Sequence, residues 1–230
     1  VKIDWELLKH FAVKDVKARS LLERFQPSRT FVNYNVFGTK TGRLTTTQDS
    51  FPILNVKGEH KEAILPKNDW FVELDYNGAE VRTLLALTNK EQPDEDIHEF
   101  HMKSVYRDFG SRAKAKERFF AWLYNASSTD YLTERFYDRK SVLTSYYRNG
   151  HVHTPFGRKI EADDFHALNY LLQSSSSDNC LWQVNQIHRF LRDKKSSVAF
   201  AIHDSVVIDL DGNERNILPQ IKELFENTRL

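Results

Sequence analysis

The stretch Arg112-Ala-Lys-Ala-Lys116-Glu-Arg-Phe-Phe120-Ala-Trp-Leu-Tyr124 contains the most informative pattern in the sequence. Two cations and then two aromatic rings follow one another at intervals of four residues. On an α-helix they form one slowly rotating stripe about 18 Å long. The cationic half suits a triphosphate, and the aromatic half suits stacking on a base or a sugar. The alternative is an ordinary amphipathic helix with a basic end and a stripe of aromatic core residues.

Two aspartates lie in a second pattern. Asp75 ends the largely apolar run 70–76, which is typical of a strand. Asp204 lies between the apolar runs 198–202 and 205–210, which predict a hairpin with an acid at its tip. Phosphoryl transfer can use two divalent ions about 3.5–4 Å apart, and carboxylates at neighbouring strand ends can bridge them. Such oxygen ligands suit Mg²⁺, although an acid at a strand end is more commonly a solvated turn residue.

Outside these two patterns, the sequence predicts helices with a few strands and turns. Asn77 can cap the helix 77–88, and Asn149-Gly150 is a strong turn signal. The long helix from 164 to about 194 is weakest across Ser174–Ser177. The other predicted elements are a helix at 4–25 that is broken by Pro27, strands and loops at 29–58, helices near 95–106, 111–124 and 130–148, a strand pair near 152–160, and a helix at 213–227. Together they predict an α+β fold, with helices beside a small sheet that carries the acids.

The composition places few limits on function. Of the 230 residues, 40% are hydrophobic, which is enough for one sizeable core or two small lobes. The net charge of +1 does not by itself indicate a nucleic-acid binder. Basic residues nevertheless gather at 107–118, 135–148 and 189–195, away from the acidic stretch 91–99. This distribution is compatible with a nucleic-acid partner but does not require one.

Three features that the sequence lacks bear on the cellular compartment of the protein. No apolar run approaches the roughly 20 residues that span a bilayer, and the first residues, VKIDWELLKHF, lack the layout of a signal peptide. The single cysteine, Cys180, excludes an internal disulfide framework and a cysteine-rich zinc site. We therefore expect a cytoplasmic or nucleoid-associated protein, in a phage-infected bacterium or an organelle among other hosts, that is not secreted and has no membrane partner.

Three segments resemble the motifs of the family A (DNA polymerase I-like) DNA polymerases. The pattern Arg-x3-Lys-x3-Phe-x3-Tyr at 112–124 is similar to motif B, and Leu74-Asp-Tyr-Asn-Gly-Ala-Glu-Val-Arg82 is similar to motif A. Ile202-His-Asp-Ser205 resembles motif C. Four further pieces occur in the order of the family, namely Thr41-Gly-Arg-Leu44, Asp96-Ile-His98, Thr154-Pro-Phe-Gly-Arg158, and Asn169-x3-Gln173 followed by Asp178. The match covers roughly residues 38–210. Seven pieces in the order of the family would rarely occur together by chance.

The resemblance implies a right-hand polymerase fold with a palm antiparallel sheet and helical fingers. Residues 1–90 would be the N-terminal part of the palm, 91–150 the fingers, and 151–230 the return from the fingers together with the palm hairpin. The implied reaction is addition of dNTPs to a primer 3′ end by two-metal phosphoryl transfer, with two Mg²⁺ ions as cofactors and Mn²⁺ as a substitute. The implied partners are primer-template DNA, dNTPs and, as candidates, a processivity factor or other replication proteins.

The resemblance also implies a role for each matching residue. Asp75 and Asp204 would be catalytic and would hold the metals with the backbone carbonyl of Tyr76. The implied nucleotide-binding residues are Arg112, Lys116 and His98 for the triphosphate, Phe120 for the sugar, Tyr124 for the templating base, and Glu80 as the group that excludes a ribose 2′-hydroxyl. The implied DNA-binding residues are Arg43, Asn169, Gln173 and His203.

Some residues depart from the pattern of the family. Ser205 replaces the usual glutamate of motif C, and His-Asp-Ser resembles motif C of single-subunit phage RNA polymerases. An RNA polymerase or primase-like enzyme is therefore an alternative, although Glu80 and Phe120 favour a DNA polymerase. A catalytically inactive nucleic-acid-binding module of the same fold is a second alternative. Gly78 and Phe165 replace polar residues, so we expect weaker contacts to the primer-template there.

Two architectural elements of the family are not recognisable in the sequence. No helical pair typical of a thumb precedes motif A, and no acid-rich exonuclease pattern is present. We expect either a minimal viral or organellar enzyme or a portion of a longer polymerase, and we favour the portion.

Overall fold

The computed structural model describes residues 2–24, 31–107 and 110–230, so Pro27 lies outside the described residues. The strands are β1 (Lys2–Ile3), β2 (Tyr34–Asn35), β3 (Thr45–Thr46), β4 (Ile64–Leu65), β5 (Trp70–Asp75), β6 (Tyr147–Arg148), β7 (His151–His153), β8 (Lys159–Glu161), β9 (Ser197–Ile202) and β10 (Ser205–Leu210). The α-helices are α1 (Trp5–Lys14), α2 (Val16–Arg24), α3 (Ala79–Leu87), α4 (Ile97–Phe100), α5 (Arg112–Tyr124), α6 (Tyr131–Tyr137), α7 (Arg139–Tyr146), α8 (Ala167–Phe190) and α9 (Leu218–Glu226). Short 3₁₀ segments lie at Ile53–Asn55, Gly58–Ala63 and Gly212–Ile217, and a π-helical turn lies at His101–Val105.

The described strands form antiparallel sheets, and helices make up most of the remaining regular structure. The sheets pair β1 with β4 and β2 with β3, and they order the others as β5-β10-β9 and β6-β7-β8. This mixed architecture confirms the prediction of helices beside small sheets. No helix among the described residues is both long and apolar enough to cross a bilayer.

The chain divides into two compact units. Unit 1 contains the described residues of 1–39, 43–75 and 180–228. Its central sheet is β5-β10-β9, in which every residue of β10 is buried between its two neighbours. One buried hydrophobic cluster of unit 1 contains Ile3, Leu8, Ala12, Ala18, Phe51, Ile53, Val56, Ala63, Ile64, Phe200, Ile202 and Val207.

Unit 2 contains the described residues of 40–42, 76–179 and 229–230. Its core brings together one face each of α3, α5 and the first part of α8 with the β6-β7-β8 sheet. The large buried side chains there include Val81, Leu84, Leu85, Ile97, Phe119, Trp122, Leu123, Tyr137, Val152, Leu171 and Leu172. Apart from the short segments 40–42 and 229–230, the units therefore divide the chain after Asp75 and after Asn179. The assignment of 1–90, 91–150 and 151–230 to parts of palm and fingers stays a prediction.

Two predicted helices are each divided by an aspartate. The helix predicted at 4–25 is broken at Asp15, which has extended backbone angles and whose carboxylate contacts Lys57. The helix predicted at 130–148 is broken at Asp138, whose φ is 50°. Its carboxylate accepts a hydrogen bond from the backbone N–H of Ser141 and so caps α7. In both places the aspartate side chain accepts a hydrogen bond from a backbone N–H at the start of the next helix, that of Lys17 or of Ser141.

The serine run does not interrupt the long helix. α8 continues through Ser174–Ser177, which are at most 5% exposed. Serine has only a moderate helix propensity, and burial against neighbouring elements overrides such weak preferences.

Candidate functional site

Asp75 and Asp204 lie at the same end of the central sheet of unit 1. Asp75 is the last residue of β5, and its Cα partner in β10 is Ser205, which directly follows Asp204. Ser205 also pairs with Ile202 at the end of β9, so residues 203–204 form the two-residue turn of the hairpin. His203 has a φ of 54°, the left-handed conformation that such a turn requires at its first position. Strand pairing thus places two acids that are far apart in the sequence beside one another.

The surroundings of Cys180 agree with this proximity. Its thiol is fully buried. Burial raises the pKa of Cys180 to about 12, and the negative charges of Asp204 and Asp75 contribute in the same direction. Both carboxylates therefore lie close enough to act on one buried thiol, which stays protonated at neutral pH.

Ser205, the residue that departs from the pattern of the family, is bonded within the sheet. It is 2% exposed. Its Oγ lies 2.9 Å from Oε1 of Glu73 and 3.1 Å from the carbonyl oxygen of Ile202, and either can accept its proton. Glu73 was missed in the sequence analysis. The available signal was its position two residues before Asp75, because alternate residues of a strand share one face.

The predicted stripe on α5 is confirmed as one continuous helix, which Ser111 caps at its N-terminus. The helix buries Ala115, Phe119, Trp122 and Leu123. Fully burying a large apolar side chain stabilises a fold by roughly 1.5–3 kcal/mol, so these residues set the orientation of the helix.

The four stripe residues lie on the other side of α5. Arg112, Lys116 and Tyr124 are exposed and Phe120 is half-buried. The Phe120 and Tyr124 rings are stacked, with centroids 5.7 Å apart and planes 14° apart. Tyr124 is therefore not a core residue, whereas Phe120 packs against the edge of the core of unit 2.

His98 lies near the cationic half of the stripe. Its ring centroid is 5.9 Å from that of Phe120, and the residue is 3% exposed. Burial lowers the pKa of His98, Asp96 opposes this shift, and the charges of Lys116 and Arg112 add to it. His98 is therefore neutral at neutral pH, and its buried Nδ1 has no hydrogen-bond partner among the described residues.

Glu80 lies in the first turn of α3 and contacts the far end of the stripe. Its side chain is largely buried, with 8% of the residue exposed. The hydroxyl of Tyr124 donates a 2.9 Å hydrogen bond to Oε2 of Glu80. The predicted sugar-selecting acid and the predicted base-positioning ring are thus directly bonded.

The prediction that Asn77 caps α3 is wrong. Gly78 occupies the cap position with a φ of 70°, a conformation that glycine adopts readily. A Cβ on Gly78 would lie 2.5 Å from a methyl group of Ile97. The Asn77 side chain is used elsewhere, because it donates to Asp96 and accepts a hydrogen bond from the backbone N–H of Ile97.

Three of the collinear sequence pieces are joined in unit 2. The guanidinium of Arg158 donates two hydrogen bonds to Asp178, at 2.6 and 2.8 Å. It also lies against Gly42, where a Cβ would be 2.6 Å from the guanidinium carbon. The φ of Gly42 is 77°, so a glycine is favoured there on two grounds. These contacts give the three pieces a structural role in unit 2.

The predicted DNA-binding residues are distributed over both units. In unit 2, the side chain of Gln173 donates a 2.7 Å hydrogen bond to Asn169, one turn earlier on α8. In unit 1, Arg43 is half-buried and His203 is exposed at the hairpin turn. Contact of these residues with DNA stays a prediction.

A different group of side chains is close enough to hold a metal ion. Ligand atoms of Asp15, Glu59 and His60 lie within 4.8 Å of one another in unit 1. The ammonium of Lys57 already contacts Asp15 and lies 3.6 Å from Glu59. A cation of the protein therefore already compensates these carboxylates, and the group includes neither Asp75 nor Asp204.

Comparisons with known proteins identify the fold. No protein-family model and no curated protein matches the sequence. The structure is similar to a solved structure of the POL domain of Pol1 from M. smegmatis in complex with DNA primer-template and dNTP, with a TM-score of 0.76 and 20% sequence identity. The match covers 92% of this chain and 47% of the other, so this chain spans about half the length of that protein chain. The predicted similarity to a polymerase domain is thereby confirmed, and the right-hand arrangement of palm and fingers stays a prediction.

Proposed function

We propose that this chain is the palm-and-fingers part of a template-directed DNA polymerase. The observation that carries the proposal is the pairing of Asp75 with Ser205, which sets the two predicted catalytic acids side by side in a chain with the fold of a polymerase domain. Fold similarity alone does not specify an activity. The proposal therefore depends on these acids and on the residues of the α5 stripe.

The donor atoms at the end of β5 fit Mg²⁺. Two carboxylates and a backbone carbonyl, from Asp75, Asp204 and Tyr76, are the hard oxygen ligands that this ion prefers, and Mn²⁺ accepts the same set. The neighbouring Cys180 stays a thiol at neutral pH and does not offer a competing thiolate. Bound divalent ions supply activation of the primer 3′-hydroxyl and neutralisation of phosphate charge. We expect the two carboxylates to lie within about 8 Å of each other, as a shared pair of ions requires.

The exposed cations of α5 would bind the triphosphate of the incoming nucleotide. Arg112 and Lys116 are one helical turn apart on the same exposed side, so both can reach a single extended anion. His98 lies near both of them and would add a neutral hydrogen-bonding group. Phe120 and Tyr124 would supply the apolar surface for the sugar and the templating base.

Glu80 would select the sugar by steric exclusion. A largely buried carboxylate that is held by the Tyr124 hydroxyl has little freedom to move aside for an additional 2′-hydroxyl. This favours dNTPs over NTPs. The likeness of Ser205 to motif C of RNA polymerases has a separate explanation, because its hydroxyl is bonded to Glu73 and Ile202 within the sheet.

Arg43, Asn169, Gln173 and His203 would contact primer-template DNA. The exposed His203 at the hairpin turn directly precedes Asp204 in the sequence, so we assign it to the primer end. The side-chain amides of Gln173 and Asn169 have hydrogen-bond donors and acceptors. These can bond to the acceptor and donor atoms that the bases present in the minor groove.

Primer extension tests the proposal directly. The full-length protein is incubated with a primer-template, Mg²⁺ and either dNTPs or NTPs, and the extended products are resolved by length. Template-dependent extension with dNTPs is expected. Extension only with NTPs would favour the RNA polymerase alternative, and DNA binding without any extension would favour an inactive binding module.

A further inference from the structure

Asp96 is a carboxylate near the α5 stripe that accepts several hydrogen bonds. Its Oδ1 accepts hydrogen bonds from the backbone N–H groups of His98 and Glu99, at 3.0 and 3.1 Å. Its Oδ2 accepts a 2.6 Å hydrogen bond from the side chain of Asn77. These three bonds fix the carboxylate at the N-terminus of α4.

The same carboxylate holds Arg112. Nε of Arg112 donates to Oδ1 at 2.9 Å and Nη2 donates to Oδ2 at 2.7 Å, which makes a two-point, planar contact. The Arg112 side chain is nevertheless 48% exposed. Because a guanidinium has five N–H donors, those on Nη1 stay available to a ligand.

We infer that Asp96 is a positioning residue, which holds the guanidinium of Arg112 in place before the triphosphate of the nucleotide binds. The inference rests on the proposed role of Arg112 in nucleotide binding. A free arginine side chain samples many rotamers, and the entropy lost on ordering it weakens the binding of a ligand. The rigid bonding of Asp96 to α4 and Asn77 removes most of that cost in advance, since Arg112 is ordered without nucleotide.

The chain offers a closely matched control on the same helix. Asp130 caps α6 by accepting from the N–H of Thr133 and contacts Nε and Nη2 of Arg118, as Asp96 does with Arg112. Arg118 is outside the stripe and lies over the ring of Tyr106. The Asp130 pair therefore has the same chemistry without the proposed connection to the nucleotide.

The experiment compares Asp96→Asn, Arg112→Ala, the double variant and Asp130→Asn in single-nucleotide primer extension by the full-length protein. Asparagine keeps the shape and the helix-capping ability of aspartate but removes its charge. Asp96→Asn is expected to raise the KM for dNTP by about tenfold while kcat changes less than about threefold. Arg112→Ala is expected to raise KM further, and adding Asp96→Asn to it should then have no additional effect. Asp130→Asn should leave KM unchanged although its melting temperature falls.

Several results would overturn the inference. A KM for Asp96→Asn that equals or falls below that of the wild type would show that Asp96 does not position Arg112. Additive effects in the double variant would show that Asp96 acts independently of Arg112. If Arg112→Ala itself leaves KM unchanged, its proposed role in nucleotide binding is wrong and the inference fails with it.

Arg112→Lys tests the contact between Arg112 and Asp96 while Asp96 is unchanged. Lysine keeps the charge but cannot make the two-point contact. It should therefore raise KM about as much as Asp96→Asn does, and an unchanged KM would contradict the inference even if Asp96→Asn fails to fold.

Discussion

Asp75 and Asp204 in unit 1 are placed at one end of a sheet by strand pairing, whereas the four residues of the α5 stripe in unit 2 are aligned by a single helix. The first arrangement joins distant parts of the sequence, through the pairing of β5 with β10. The second arrangement is local, because four-residue spacing on a helix produces a stripe wherever the helix packs. Packing determines only that the stripe is exposed, because the opposite face of α5 is buried.

The two regions also differ in how their functional groups are held. Both ends of the stripe are held by carboxylates of unit 2, Arg112 by Asp96 and Tyr124 by Glu80. The positions of the acids in unit 1 are set by the β-ladder and the tight turn at His203. We therefore expect substitutions of the acids to abolish the reaction, and substitutions of the stripe to change the use of nucleotides by graded amounts.

The largest expected effect is that of removing either acid. Asp75→Asn and Asp204→Asn should each lower the rate of nucleotide incorporation by at least about a thousandfold, because each would remove a charged metal ligand. Binding of primer-template, measured by fluorescence anisotropy, should change little. Asp193→Asn, which alters an exposed acid of the same unit, should extend primers normally. Primer extension by Asp204→Asn at near wild-type rate would refute the assignment of this site.

Lys116→Ala should have the next largest effect and tests the cationic half of the stripe. Loss of a charge-assisted contact to the triphosphate is expected to reduce kcat/KM for dNTP by about a hundredfold, with little change in DNA affinity. Lys114→Ala removes the same charge from an exposed position of α5 outside the stripe. Equal losses in the two variants would indicate a general electrostatic effect instead of a specific contact.

Stability should depend on pH through a histidine behind α5. His101 is fully buried and its ring stacks on Phe119. Burial lowers the pKa of His101 to about 3, so below the ordinary histidine pKa of about 6.5 the unfolded chain binds a proton that the folded chain excludes. The free energy of unfolding should therefore fall as the pH falls, and His101 should account for about 2 kcal/mol between pH 7 and pH 5.

Chemical denaturation at the two pH values measures this effect. His101→Gln should lose the corresponding part of the pH dependence, while substitution of the exposed His188 by Asn should keep it. An unchanged pH dependence in His101→Gln would show that other groups cause the acid sensitivity. The result distinguishes the contribution of the buried side of α5 to stability from the proposed role of its exposed stripe in nucleotide binding.

The smallest expected effect concerns the choice of sugar. Glu80→Ala should increase the use of rNTPs relative to dNTPs by about tenfold, because the space beside the sugar would open. Glu80→Gln keeps the volume of the side chain and should retain discrimination. Tyr124→Phe removes the hydrogen bond that holds Glu80 and should give an intermediate result. If the wild-type protein prefers rNTPs, the DNA polymerase proposal is wrong. If Glu80→Ala discriminates as well as the wild type, the selecting group lies elsewhere.

The sequence allowed the helix of the stripe and the acid-tipped hairpin to be predicted, because both depend on local periodicity. Asn77 shows where local reasoning failed. Its cap propensity is real, but Gly78 takes the cap position because a side chain there would collide with Ile97. The division of helices at Asp15 and Asp138 was missed for a similar reason, since each aspartate bonds to groups that no periodic pattern specifies.

The sequence by itself determined the order of the motifs, the spacing along α5 and the residue types offered for metal, triphosphate and sugar. Only the tertiary structure decided which carboxylate meets which partner. It paired Asp96 with Arg112, Glu80 with the Tyr124 hydroxyl, and Ser205 with Glu73. The physical reason is that spacing on a helix or strand follows from backbone geometry, whereas hydrogen bonds between distant residues depend on how buried faces pack and on which polar groups that packing brings within reach.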